Sequence, residues 1–141
     1  MPYLNVWIHA VWSTAYRLPL LTKNIRGRVF EHIKSNGYQK GIRIDRINGY
    51  LDHVHVLFIL PGNLSIAKAI QLMKGESSYW INKNQLTREK FKWQDEYYAA
   101  TVGEPDLFKV QEYIDGQELH HRNLTFSEEY AKLVDDLKTH S

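Results

Sequence analysis

The chain is 141 residues long, 43% hydrophobic and free of cysteine, with a formal net charge of +2. This length and apolar content predict a single domain over residues 1–141 with one proper core. The lack of cysteine excludes disulfides and thiolate metal sites, so any metal must be held by imidazole, carboxylate or amide groups.

Residues 3–12 alternate, with Leu4, Val6, Ile8 and Ala10 on one face and Asn5, Trp7 and His9 on the other, which predicts a first strand. From Thr22, the four-residue spacing of Ile25, Val29 and Ile33 predicts a helix that stops at Asn36-Gly37, with Gly37 in the left-handed position after the helix. Residues 41–47 read as a strand, Asn48-Gly49 as a tight turn, and the run up to Pro61-Gly62 as the strand that completes a hairpin. A second helix is expected from an Asn63 cap to about Lys83, with Ile66, Ile70, Met73 and Ser77 on one face, covering the same sheet face as the first helix. Residues 97–102 supply a fourth strand. The order β-α-β-β-α-β predicts an α+β, ferredoxin-like fold. Two further helices are expected, one from Pro105 or Asp106 to about His121 and one from Ser127 to about Lys138.

Charge is unevenly spread. Residues 1–50 hold eight Lys or Arg against two acids, and residues 51–141 hold ten against fourteen, an asymmetry that permits a basic face for phosphates and equally fits ordinary surface charge. No window reaches the roughly 20 apolar residues of a membrane span, and the N-terminus has no basic and apolar leader, so the expectation is a cytoplasmic protein without membrane contact.

Two short motifs carry the chemistry. His53-Val54-His55 lies in a strand, where side chains alternate, so both imidazoles share one face, with Cα atoms about 6.6 Å apart, and can bind one ion. Val54, Val56, Phe58 and Leu60 form the opposite face, while Leu57 and Ile59 continue the histidine face. Both faces therefore expect cover, and covered histidines need partners. On the expected helix before His121, Tyr113 and Gln117 are one turn apart and share a face. If that helix crosses the histidine face, Gln117 becomes a third ligand and Tyr113 aims its hydroxyl at a metal-bound phosphate. His120 and His121 follow as helix-capping or accessory ligand candidates. Gly116 is costly inside a helix, by roughly 0.5 to 1 kcal/mol against Ala, and implies close approach or motion.

Four segments in order resemble the single-tyrosine HUH transposases of the insertion-sequence 200/605 type: Asp52-His53-Val54-His55, Lys74-Gly75 with Ser77-Ser78, Phe91-Lys92-Trp93-Gln94 with Tyr97 or Tyr98, and Tyr113-Ile114 with Gln117 and His120-His121. The likeness runs on to Phe126-Ser127-Glu128-Glu129-Tyr130. It implies a ferredoxin-like or RRM-like antiparallel sheet with helices on one face and a C-terminal tyrosine-bearing helix, acting on single-stranded DNA with hairpins as a homodimer whose active sites are shared between subunits, the tyrosine helix of one serving the histidines of the other. It also implies that His53, His55 and Gln117 hold Mg²⁺ or Mn²⁺ and that Tyr113 is the nucleophile, forming a 5′-phosphotyrosine. The chain departs from the family at Gly116, where a polar residue is common, and at Glu96-Tyr97-Tyr98, which replaces the usual Gly-Tyr. Arg17, Arg43, Arg46 and Lys74 are candidates for DNA contact. Three other readings fit the same residues: a domesticated hairpin nickase, a non-catalytic RRM-like binding module, and a small zinc hydrolase using His53, His55 and His120 or His121.

Overall fold

The computed structural model describes residues 4–121 and 124–140, with the side chains of His120, Thr139 and His140 outside the described set. Four strands, β1 (Trp7–Ser13), β2 (Arg43–Gly49), β3 (His53–Ile59) and β4 (Tyr98–Val102), form one antiparallel sheet in the order β2-β3-β1-β4. Helices α1 (Lys23–Gln39) and α2 (Ile66–Lys83) follow β1 and β3 respectively. This is the expected ferredoxin-like arrangement. Both helices cover one sheet face, where Ile8, Ala10, Trp12, Val54, Val56 and Phe58 meet Val29, Ile33, Ala69, Ile70 and Met73 in the main core. Strand alternation sends His9, His53, His55 and Leu57 to the other face.

That second face is covered by α3 (Leu107–Asp115), α4 (Gln117–His120) and α5 (Phe126–His140). One helix was expected from Pro105 to His121. Instead, Glu104–Asp106 form a 3₁₀ turn and the helix breaks at Gly116, which has φ −92° and ψ 15°. The break is held from β2: the Asn48 side-chain amide donates to the carbonyls of Ile114 (2.9 Å) and Asp115 (3.3 Å), satisfying oxygens at the end of α3. A β-bulge leaves Asp45 between the paired residues Ile44 and Arg46, and its carboxylate accepts a 2.8 Å hydrogen bond from Gln111 on α3. Arg46 pairs with Asp115 at 3.5 Å. Strand β2 therefore fixes the position of the helix that carries Tyr113.

Several boundaries differ from the local reading. Asn48-Gly49 is not the turn but the end of β2, and the chain reverses through residues 50–52. Gly49 is needed for closeness: a Cβ there would lie 2.1 Å from the carbonyl oxygen of His53. Gly37 lies within α1 and packs on Ile44; the left-handed residue is Gly41, at φ 80°. Gly41 N–H donates to Tyr38 O (3.1 Å) and Ile42 N–H to Gly37 O (2.8 Å), the bond pair of a Schellman motif. Helix α2 is capped by Ser65, not Asn63, through a 3.0 Å bond from Lys68 N–H. Helix α5 begins at Phe126, and Thr125 and Glu128 bond reciprocally in a capping box. Among the described residues, no helix is long and apolar enough to cross a membrane.

Candidate active site

The sheet places His53 and His55 on the face beneath α3, α4 and α5, and both are completely buried. Gln117, first residue of α4, reaches down to His53, with its Oε1 2.9 Å from His53 Nε2. Glu129, on α5, is 1% exposed and stands at the centre. Its Oε1 is 3.2 Å from Nε2 of His53, 3.2 Å from Nε2 of His55 and 3.0 Å from Nε2 of His121. Its Oε2 accepts from the Gln117 amide at 3.1 Å and from the Tyr113 hydroxyl in a short hydrogen bond. The structure thus brings together Tyr113, His53, His55, Gln117 and His121; the side chain of His120 lies outside the described residues.

Each histidine nitrogen facing away from Glu129 is also engaged. His53 Nδ1 meets Asp52 Oδ1 at 2.9 Å, His55 Nδ1 meets His9 Nε2 at 2.9 Å, and His121 Nδ1 meets the Leu124 carbonyl at 2.6 Å. Phe126 stacks on His53 with ring centroids 4.3 Å apart, and Tyr113 lies edge-on to His55 at 5.5 Å.

The local reading assigned no role to Glu129, Asp52 or His9. For Glu129 a signal was present: Phe126, Tyr130, Leu133, Val134 and Leu137 trace the apolar face of α5, and a carboxylate three residues after Phe126 sits on that face. Such a charge requires partners. Asp52 had sequence adjacency to His53. His9 was legible only as a strand residue on the histidine face.

The proposed DNA-contact cations are scattered. Arg17, in the left-handed region at φ 54°, donates to Ser127 Oγ and stacks over Phe126 at 5.4 Å, linking the β1 end to α5. Its neighbours Trp12, Ser13, Tyr16, Phe126 and Tyr130 line a cleft of about 250 Å³ beside the histidines. Arg46 is paired with Asp45 and Asp115. Arg43 lies by α1, away from the histidines. Lys74 donates to the carbonyls of Gln94 and Asp95, and its burial holds its pKa below the usual lysine range.

Electrostatics are dominated by burial. It lowers His55 to about 4, against the hydrogen bond that Glu129 accepts from it, and lowers His9 to about 3, helped by His55. For His53, burial opposes charge, but hydrogen bonds to Asp52, Glu129 and Gln117 outweigh it and raise the pKa. Burial also works against ionised Glu129, yet its hydrogen bonds to His121, His53 and His55 hold it well below the carboxylate range. Burial and the Glu129 contact push the Tyr113 phenol above its ordinary value.

These directions predict acid sensitivity. His9 and His55 bind protons more weakly folded than unfolded, so their stabilisation is complete above pH 6.5 and declines as pH falls toward their lowered values. His53, with a raised pKa, works in the opposite sense and offsets part of the loss. Urea unfolding of metal-free protein should show a loss of up to about 4 kcal/mol between pH 7 and pH 5, roughly 1.5 pKa units at 1.36 kcal/mol for each of the two groups, reduced by the His53 offset. Equal stability at both pH values would contradict the assignment of two buried neutral imidazoles.

The donor chemistry fits a divalent ion. Both ring nitrogens of His53 and of His121 face oxygen acceptors, so each ring presents a nitrogen to an oxygen where either a proton or a metal cation can sit. His53, His55 and Glu129 have ligand atoms within 4.8 Å of one another.

The profile of the family "Transposase IS200 like" matches residues 3–117. The transposases for insertion sequence element IS200 from Salmonella typhimurium and Salmonella typhi are each 29% identical over 119 residues, covering 80% of this chain and 77% of theirs. In fold, the chain is similar to a Deinococcus radiodurans crystal structure provisionally assigned as a transposase, with TM-score 0.66 and 21% identity, covering 83% of this chain and 95% of that one. It is also similar to a REP-associated tyrosine transposase bound to a REP hairpin, with TM-score 0.62 and 16% identity, covering 86% of this chain and 72% of that one. With a profile match across most of its length and a buried histidine pair facing a tyrosine, the chain belongs to the IS200-like transposase family.

Proposed function

We propose that this protein cleaves and rejoins single-stranded DNA through a covalent 5′-phosphotyrosine on Tyr113, recognising hairpins at the ends of a mobile element. The observation that carries this reading is that the half-buried Tyr113 hydroxyl enters the same polar cluster as His53, His55 and Gln117, which are themselves buried. His53, His55 and Gln117 would hold Mg²⁺ or Mn²⁺, whose charge would polarise the scissile phosphate and offset the charge of the transition state.

Tyr113 supplies the nucleophilic oxygen and gives up its proton to solvent as it attacks, with Glu129, which accepts its hydrogen bond, orienting the hydroxyl. A bond forms from the tyrosine oxygen to phosphorus as the bond to the 3′ oxygen breaks. The products are a 5′-phosphotyrosine and a 3′-hydroxyl, the latter taking up a proton. Attack by a second 3′-hydroxyl reverses these events and needs no nucleotide cofactor. Asp52 and His9 orient the two strand histidines.

The cleft lined by Tyr16, Phe126 and Tyr130, with Arg17 and Glu96 at its side, suits a stacked base. Arg43, Arg46 and Lys74 would contact DNA further away. The hairpin in the REP-associated neighbour supports a hairpin substrate. The protein acts as a homodimer, a proposal that rests on the family resemblance; one chain already places its tyrosine against its own histidines.

The test is incubation with hairpin-bearing single-stranded DNA and Mn²⁺, followed by a search for a denaturation-resistant adduct. Adduct formation that disappears in Tyr113→Phe while DNA binding remains supports the proposal; an equal adduct in that variant overturns it. A second reading, nicking of a chromosomal hairpin without element movement, is favoured by the likeness to the REP-associated protein. It predicts cleavage without joining to a second DNA.

A further inference from the structure

We infer that His121 and Glu129, which lie beyond the family-profile match at residues 3–117, complete the metal centre as ligands and make it selective for a Mn²⁺-class ion over Mg²⁺. This rests on the proposal that His53 and His55 hold a divalent ion.

Three observations carry the inference. First, the spacing fits ligand edges. In an octahedral centre with bonds of about 2.1 Å, adjacent donor atoms lie about 3.0 Å apart. Glu129 Oε1 is 3.0 to 3.2 Å from three imidazole Nε2 atoms, and Gln117 Oε1 is 2.9 Å from one of them. Second, all three rings are oriented alike. Their Nδ1 atoms face Asp52, His9 and the Leu124 carbonyl. With Nδ1–H donating to each, every Nε2 points toward the same carboxylate oxygen, and a metal ion can take the place of the ring protons that otherwise bridge them. Third, the buried carboxylate is built in from a separate helix, α5, whose start is fixed by the Thr125–Glu128 capping box and by Arg17 on Ser127 and Phe126.

The donor set is then three imidazoles, one carboxylate and one amide oxygen. Mg²⁺ prefers oxygen ligands and retains its water, whereas nitrogen donors favour first-row transition ions, in an order that starts at Mn²⁺ and rises through Fe²⁺ to Cu²⁺. A rival arrangement has the Glu129 oxygen standing in the ion's own place and leaving when the ion binds. The two make opposite predictions for Glu129→Gln.

Calorimetric titration of the full-length protein with Mn²⁺ and with Mg²⁺ tests this. Wild type should bind Mn²⁺ more tightly than Mg²⁺. Both Glu129→Gln and His121→Ala should weaken Mn²⁺ binding by at least about tenfold, the lower end of losses seen even for groups that only support a ligand. Unchanged or tighter Mn²⁺ binding in both variants would overturn the inference. Loss of binding in His53→Ala but not in these two would leave the underlying metal proposal standing while removing this one. Binding that ignores His53→Ala would remove both. Pulsed electron paramagnetic resonance of the Mn²⁺-loaded wild type needs no variant and is unaffected by folding defects: three coordinated imidazole nitrogens are expected, and two would overturn the role of His121.

Discussion

Tyr113→Phe is expected to abolish DNA cleavage and the covalent adduct while leaving the fold and DNA binding in place. The substitution removes one oxygen from a half-buried ring and keeps the packing of that ring against His55 and His9. Without the hydroxyl no phosphorus–oxygen bond to the protein can form, so loss should reach the detection limit rather than a modest reduction. Glu129 loses one donor but keeps Gln117 and three imidazoles around it. Stability should therefore change by no more than about 1 to 2 kcal/mol, the range of a buried hydrogen bond. Denaturing gel analysis of reactions with labelled hairpin DNA reads the adduct, and filter binding reads affinity. Residual cleavage above one hundredth of wild type would mean that another nucleophile, such as a metal-activated water, does the chemistry.

Gly49→Ala is expected to damage fold and site together. A Cβ at this position would lie 2.1 Å from the His53 carbonyl oxygen and 3.0 Å from Val54 Cα. These are backbone atoms of the neighbouring strand, so no side-chain rotation relieves the clash. The end of the β2–β3 hairpin must open, breaking the register Gly49↔Val54 and the Tyr50 N–H bond to His53 O. A loss of about 3 kcal/mol is expected, at the upper end for overpacking. Because His53 moves with the strand, metal binding should weaken as well. Urea denaturation and Mn²⁺ titration of the same preparation check both effects. A loss below about 1 kcal/mol would show that the hairpin accommodates the methyl group and that its closeness is not essential.

Much of this molecule was legible from neighbours in the chain. Two-residue alternation assigned His53 and His55 to one sheet face and Val54, Val56 and Phe58 to the other, and the structure keeps that division. The one-turn spacing of Tyr113 and Gln117 also holds, even across the break at Gly116, since the Gln117 amide still reaches the Tyr113 carbonyl at 3.4 Å. Cap and turn positions were less legible. Ser65 rather than Asn63 starts α2, Gly41 rather than Gly37 ends α1, and residues 50–52 rather than Asn48-Gly49 make the turn. Several nearby residues can satisfy the same local rule, and packing selects among them.

Sequence by itself determined the strand faces, the helix stripes and the paired histidines, because these depend on backbone periods of two and 3.6 residues. Tertiary structure alone decided that Glu129 meets His55 across 74 residues and that His9 meets it across 46. It also decided that Asn48 ends the tyrosine helix from a strand 66 residues away. No local period relates such positions. They meet because the order β2-β3-β1-β4 sets β3 beside β1 and leaves its histidine face open to the C-terminal helices, and because a buried carboxylate must find its partners where that packing places it.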